Sequence, residues 1–205
     1  IIKMCGIAGY IGEIKNPSES LAKMAQAINH RGPDSNGIWT DQEEIGLAHT
    51  RLSILDLSAA GHQPMHSVSG NYVLIFNGEI YNHKYLRSEL ESISNRNWLG
   101  HSDTETLLAS IEEWGIENTL TKVKGMFAIA LWDKRSKNLY LSCDRIGEKP
   151  LYYGWVNEQF VFASELKSIK QFPKFNNEID RNSLAMFLRF NSIPAPYSIY
   201  EKIYK

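Results

Sequence analysis

Two cysteines, Cys5 and Cys143, are the strongest nucleophiles this sequence could offer, and Cys5 stands out by its position. A thiol this close to the amino terminus can use the chain's own α-amine as its base. The amine suits that role, because it titrates at about 7.7–8.0, near operating pH, and a thiol at about 8.5 lies within its reach. Position alone leaves a second reading open, a small buried residue in a first strand. His62 and His66 form an H-x3-H pair, but Pro64 between them prevents a shared helical face and no Cys or Asp stands at ligand spacing, so no metal site is expected. Glycine-rich phosphate cradles are absent, and no ATP is expected to bind this chain. Cys143 ends an apolar strand and is expected to be packed. The turn-forming run His30-Arg31-Gly32-Pro33-Asp34 reads as a structured support rather than a catalytic group.

Such residues need a scaffold, and the composition bounds it. The chain has 205 residues, 43% hydrophobic and 22% charged, with 22 Lys+Arg against 23 Asp+Glu. That profile fits one ordinary globular domain. A net charge of −1 leaves no basic footprint for nucleic acid or an anionic membrane. The longest apolar run, 126–132, falls far short of the roughly 20 residues of a membrane span. Two cysteines cannot build a disulfide framework and no glycosylation sequon is present, so a reducing, cytoplasmic compartment is expected. Alternating or apolar runs predict strands over 6–11, 37–40, 45–50, 72–77, 126–132, 139–143, 151–156 and 160–163. Turn residues at 133–138 and 157–158 imply hairpins and mostly antiparallel sheets. Helical spacing predicts a helix capped by Ser20 that carries Leu21, Met24, Ala25 and Ile28. Further helices are predicted over 83–92, 104–114, 164–171 and 182–190, the last capped by Asp180. The pattern reads as an α+β chain with helices covering antiparallel sheets. The run 192–197, with Pro194 and Pro196, reads as a linker.

Several strings then stand in a telling order. They are Met4-Cys5-Gly6-Ile7-Ala8-Gly9, His30-Arg31-Gly32-Pro33-Asp34, His49-Thr50-Arg51-Leu52-Ser53-Ile54-Leu55-Asp56, Gly61-His62-Gln63-Pro64-Met65, Phe76-Asn77-Gly78-Glu79-Ile80-Tyr81-Asn82, Ser102-Asp103-Thr104-Glu105 and 144–153. Together they resemble class II glutamine amidotransferase domains, and more narrowly the amino-terminal glutaminase domain of glutamine-hydrolysing asparagine synthetases. The resemblance implies the four-layer αββα sandwich of amino-terminal-nucleophile hydrolases. It also implies roles by position. Arg51 is placed as the fork for the substrate α-carboxylate, and Asp103 and Glu79 as anions for its α-ammonium, with backbone groups around Leu52 and Ile54 completing that end. Without the resemblance, Arg51 and Asp103 would read as an internal salt bridge. Asn77 and Gly78 suit an oxyanion hole, a side-chain NH2 and a backbone N–H aimed at the developing charge. Asn-Gly is equally the strongest turn dipeptide, so a plain hairpin is the competing reading.

The chemistry the resemblance implies is a two-step acyl transfer from L-glutamine through a Cys5 thioester. Ammonia would then be passed to a linked synthetase domain that uses ATP and magnesium to amidate aspartate. On this reading, 1–4 are an extension, 5–190 the amidotransferase domain and 191–205 a linker towards that synthetase domain. The residues Ile1-Ile2-Lys3-Met4 are a difficulty, since while they remain attached the Cys5 nitrogen is an amide without useful basicity. Two alternatives stay open: the same glutaminase serving a sugar or polysaccharide-precursor acceptor, and a non-catalytic glutamine-binding or docking module. A homodimer also stays open.

Overall fold

The computed structural model describes residues 4–41, 44–53 and 58–205. In chain order its elements are β1 (Gly6–Ile11), α1 (Pro17–Ala27), β2 (Ser35–Thr40), β3 (Ile45–Arg51), β4 (Met65–His66), β5 (Tyr72–Ile80), α2 (His83–Ile93), α3 (Asp103–Trp114), α4 (Ile116–Lys122), β6 (Gly125–Asp133), β7 (Asn138–Cys143), β8 (Tyr152–Val156), β9 (Gln159–Ala163), α5 (Leu166–Ile169), α6 (Arg181–Phe190) and β10 (Ile203–Tyr204). Among the described residues they form two sheets, ordered β10-β8-β9-β1-β3-β2 and β4-β5-β6-β7. The pairings within both are antiparallel, as the hairpin turns require.

The two-residue period of a strand sorts the side chains into layers. Ile7 of β1, Ile45 and Leu47 of β3, Phe162 of β9, Val73 and Ile75 of β5 and Ala128 and Ala130 of β6 meet between the sheets. Their neighbours Ala8, Tyr10 and Ala48 point outward onto Leu21, Met24 and Ala25 of α1. On the second sheet, Leu74, Phe76 and Ile80 point outward onto Leu86 of α2 and Leu107, Leu108 and Ile111 of α3. Helix, sheet, sheet, helix is the four-layer α+β sandwich anticipated from the sequence. Removing a large side chain from such a layer costs about 2–5 kcal/mol, which is the scale of the packing that holds the sheets face to face. Among the described residues no helix is long and apolar enough to cross a membrane.

Several local expectations are corrected. Ser20 does not cap α1; the helix starts three residues earlier, where Pro17 already has the helical φ, and Ser20 is buried within it. The helix expected over 164–171 shrinks to one turn, because Ser164 extends the β1 to β9 ladder: its N–H donates to the Ile7 carbonyl at 2.8 Å and its hydroxyl accepts from the Ile7 N–H at 3.0 Å. Asn77-Gly78 is not a turn but the middle of β5, which continues to Ile80. Cys143 is exposed rather than packed, since β7 is the outer strand of its sheet. The tail expected to run as a linker folds back, with Ile203 buried and β10 paired to β8. The Asp180 cap is present, its carboxylate accepting the N–H groups of Asn182 and Ser183.

Candidate active site

Extending the same alternation by one step places the chemistry. Cys5 precedes β1 on the Ile7 side, His49 and Arg51 follow Leu47 along β3, and Asn77 follows Ile75 along β5, so all four project between the sheets at one end of the sandwich. The pairing of Gly6 with Thr50 brings Cys5 beside Arg51 and Leu52. A cavity of about 100 Å³ opens there, lined by Cys5, Arg51, Leu52, Asn77, Gly78, Glu79 and Asp103 among others. Of the residues singled out in the sequence, these seven come together. Ile54 lies outside the described residues.

The Cys5 thiol is half-buried and sits on the Leu52 backbone, whose N–H donates to Sγ at 3.3 Å and whose carbonyl accepts from it at 3.6 Å. Burial pushes the thiol pKa up, while the Leu52 contact and the Arg51 charge pull the other way. The resting group is therefore a thiol that needs a base. Behind it, Arg31 Nε donates to the Cys5 carbonyl at 3.0 Å and Arg31 NH1 to Glu165 at 2.9 Å, so the His-Arg-Gly-Pro-Asp run supports the cysteine as expected. Asp34 of the same run accepts the Ser53 N–H at 2.8 Å, fixing the chain beyond Arg51. Arg51 donates to the Ser58 carbonyl at 2.9 Å, and no ion pair joins it to Asp103 among the described residues.

The open edge of β5 is the most informative part of the site. Along this strand the even-numbered residues turn their N–H groups away from β6 and towards β4. Tyr72 N–H finds Ser67 Oγ at 3.1 Å. β4 then ends, and side chains take over: Phe76 N–H donates to Gln63 Oε1 at 2.6 Å and Ile80 N–H to Asp103 Oδ2 at 2.9 Å. Gly78 lies between them with its N–H on the same edge, facing the cavity. A side chain is excluded at this position, because a Cβ would come within 2.2 Å of the Met126 carbonyl oxygen. Beside it the Asn77 side chain is buried and its Nδ2 has no hydrogen-bond partner among the described residues. Buried polar groups are normally paired, so an amide NH2 left unpaired beside a cavity marks a place for an acceptor.

Asp103 opens α3, whose start is fixed by the Ser102 hydroxyl accepting the Glu105 N–H. Its burial raises the carboxyl pKa above the ordinary value, against the pull of the Ile80 N–H and the nearby His83. A buried carboxylate of this kind favours a cationic partner.

The family model for the glutamine amidotransferase domain matches residues 4–205. The chain belongs to that family. As a glutamine amidotransferase domain it is 37% identical over 98% of its length to the putative asparagine synthetase [glutamine-hydrolyzing] 2 of Methanocaldococcus jannaschii, and 39% identical over 96% to asparagine synthetase [glutamine-hydrolyzing] 1 of Bacillus subtilis. It spans 42% and 31% of those relatives, so it corresponds to part of each. Among solved structures, the glutamine phosphoribosylpyrophosphate amidotransferase from B. subtilis superposes with a TM-score of 0.69 over 81% of this chain at 22% identity, which establishes the shared fold.

Several residues of this amidotransferase site were not singled out from the sequence. Gln63 and Thr104 line the cavity, as does Lys149. The Lys149 ammonium is buried, its pKa is lowered by that burial, and its Nζ donates to Met4 Sδ at 3.1 Å. The available signal was that each stands inside one of the quoted strings. In Gly61-His62-Gln63-Pro64-Met65 the histidine is the conspicuous residue type, but the glutamine is the residue that reaches the site.

Proposed function

We propose that this domain hydrolyses L-glutamine to glutamate and ammonia through a Cys5 thioester, as the ammonia-producing part of an asparagine synthetase-like enzyme in a reducing, cytoplasmic setting. The observation that carries the reading is the buried Asn77 Nδ2, without a hydrogen-bond partner among the described residues, in the cavity that Gly78 and the Cys5 thiol also line. Arg51 receives the substrate α-carboxylate, and Asp103 with Glu79 its α-ammonium, which places the side-chain amide over Sγ.

The Cys5 α-amine takes the thiol proton and Sγ bonds to the amide carbon. The carbonyl oxygen becomes the anion held by Asn77 and Gly78. The ammonium formed on Cys5 returns its proton to the departing nitrogen, the C–N bond breaks and ammonia leaves. Water then gives a proton to the same amine and attacks the thioester, and glutamate departs as the thiol re-forms. In the longer protein, ATP and magnesium serve a linked carboxyl-terminal synthetase domain that consumes the ammonia, with aspartate as acceptor.

The mechanism requires Cys5 to be the first residue, because its nitrogen is otherwise an amide bonded to Met4. Chains that begin at Cys5 are expected to release ammonia from glutamine, with the amino terminus verified by sequencing, and chains retaining Ile1 are expected to be inactive. Cys5→Ala should keep its thermal midpoint within a few degrees and lose hydrolysis. Equal turnover by both chain forms, or an active Cys5→Ala, refutes the reading.

A further inference from the structure

The Gly-His-Gln-Pro-Met run has no role in the mechanism above, yet one of its side chains is buried against the site. Gln63 is 5% exposed, and its Oε1 accepts the Phe76 N–H at 2.6 Å while its Nε2 donates to Thr104 Oγ1 at 3.3 Å. The Phe76 carbonyl, on the same edge of β5, accepts from His49 Nε2 at 3.2 Å. His49 is 1% exposed, its Nε2–H tautomer donates to this carbonyl, and its buried Nδ1 has no partner among the described residues. Two buried side chains, one from the loop before β4 and one from β3, thus hold both polar groups of the residue immediately before Asn77.

Their own placement is fixed as well. A Cβ on Gly37 of β2 would stand 1.9 Å from the Gln63 carbonyl oxygen, so the Gln63 backbone lies directly on β2. Thr104 follows Asp103, which holds Ile80 further along the same strand edge. The segment 76–80, unsupported by β4, is therefore tied at both ends to the first turn of α3.

We propose that Gln63 and His49 are positioning residues for the reaction. By gripping Phe76 they fix the peptide plane leading into Asn77, and so the direction in which Asn77 Nδ2 and the Gly78 N–H point. Neither reaches a reacting atom in this role, and neither contributes to holding the substrate head group. The proposal rests on the oxyanion reading of Asn77 and Gly78. A donor that points only where charge develops acts on the chemical step, so loosening it lowers kcat and leaves KM in place.

The test uses protein beginning at Cys5 with glutamine as substrate. Gln63→Met, which keeps length and burial but removes the acceptor, is expected to lower kcat about 10- to 100-fold with KM within about twofold. Gln63→Glu keeps an oxygen for the Phe76 N–H and should recover most of that loss. His49→Gln, which keeps a donor for the Phe76 carbonyl, should stay closer to wild type than His49→Leu. In an Asn77→Ala background Gln63→Met should lower kcat by clearly less than it does in the wild type, because the part of its effect that runs through Asn77 is already gone and only the part through the Gly78 N–H remains. If Gln63→Met fails to fold, Thr104→Val removes the anchor of Gln63 from the far side and should reduce kcat with the same KM pattern. A raised KM at unchanged kcat, or effects that multiply in the double variant, overturns the proposal. Wild-type protein without glutaminase activity would defeat the parent reading instead. In that case amide hydrogen exchange decides the clamp alone: Gln63→Met should speed exchange at Phe76 at least tenfold while Ile129 and Leu131 in β6 are unaffected, and unchanged exchange at Phe76 overturns it.

Discussion

Asn77 sets stability against chemistry at a single residue. Its Nδ2 is buried with no partner among the described residues, so the folded state carries the cost of desolvating an unpaired donor, typically about 1–3 kcal/mol. Asn77→Ala removes that group and is expected to leave the urea midpoint unchanged or raised, while kcat falls about 100- to 1,000-fold. A variant that is both inactive and clearly destabilised would show that Asn77 is held by the fold and not reserved for substrate. Residue types alone could suggest this donor, because few side chains offer an NH2 without a charge. They could not reveal its neighbour's contribution. The Gly78 N–H is available only because Gln63 and Asp103 occupy the flanking positions, and those residues are 15 and 25 positions distant in sequence.

Elements carry the next level of control, and α3 is the clearest case. Ser102 caps it, Asp103 is its first residue and Thr104 its second, so one helix start sets both the carboxylate proposed for the substrate ammonium and the anchor of Gln63. Ser102→Ala is expected to cost about 1 kcal/mol of folding stability, read from denaturant melts, and to raise KM for glutamine as the first turn frays. Loss of stability without a change in KM would mean that packing of Leu107 and Ile111 holds Asp103 without the cap. Hydrophobic periodicity exposed most such elements, including α3 and the antiparallel pairs. It failed where local propensity and tertiary contact disagreed. Asn-Gly favours a turn, yet β5 runs straight through it, because Gly78 can lie against the Met126 carbonyl and a larger residue cannot. α4 escaped notice because its seven residues give too few apolar repeats, and its start depends on Gly115 at φ 77°. β10 is two residues long and is a strand only because β8 offers an edge to pair with.

At the scale of the whole molecule, the buried ionisable groups make stability depend on pH in opposing directions. Burial pushes the His49 pKa down to about 3 from the ordinary 6.5. The unfolded chain therefore binds a proton that the folded chain refuses, and stability is lost as pH falls from about 6.5 towards 3, at up to about 1.4 kcal/mol per unit. Asp103 has the opposite sign: its raised pKa lets the folded state keep a proton longer, so its contribution falls as pH rises through the carboxylate range. Urea midpoints measured from pH 7 to 4.5 should fall more steeply for wild type than for His49→Gln, and identical slopes would exclude a buried neutral imidazole. The unpaired edge of β5 has one more consequence. An exposed row of backbone donors and acceptors is what another strand needs in order to add itself to a sheet, and such edges are how folded proteins come to stick to one another. Here Gln63 and Asp103 plug the positions on either side, leaving a gap one N–H wide. That gap is too short to template a strand, so the opening proposed to receive one carbonyl oxygen of a small amide is closed to polypeptide chains.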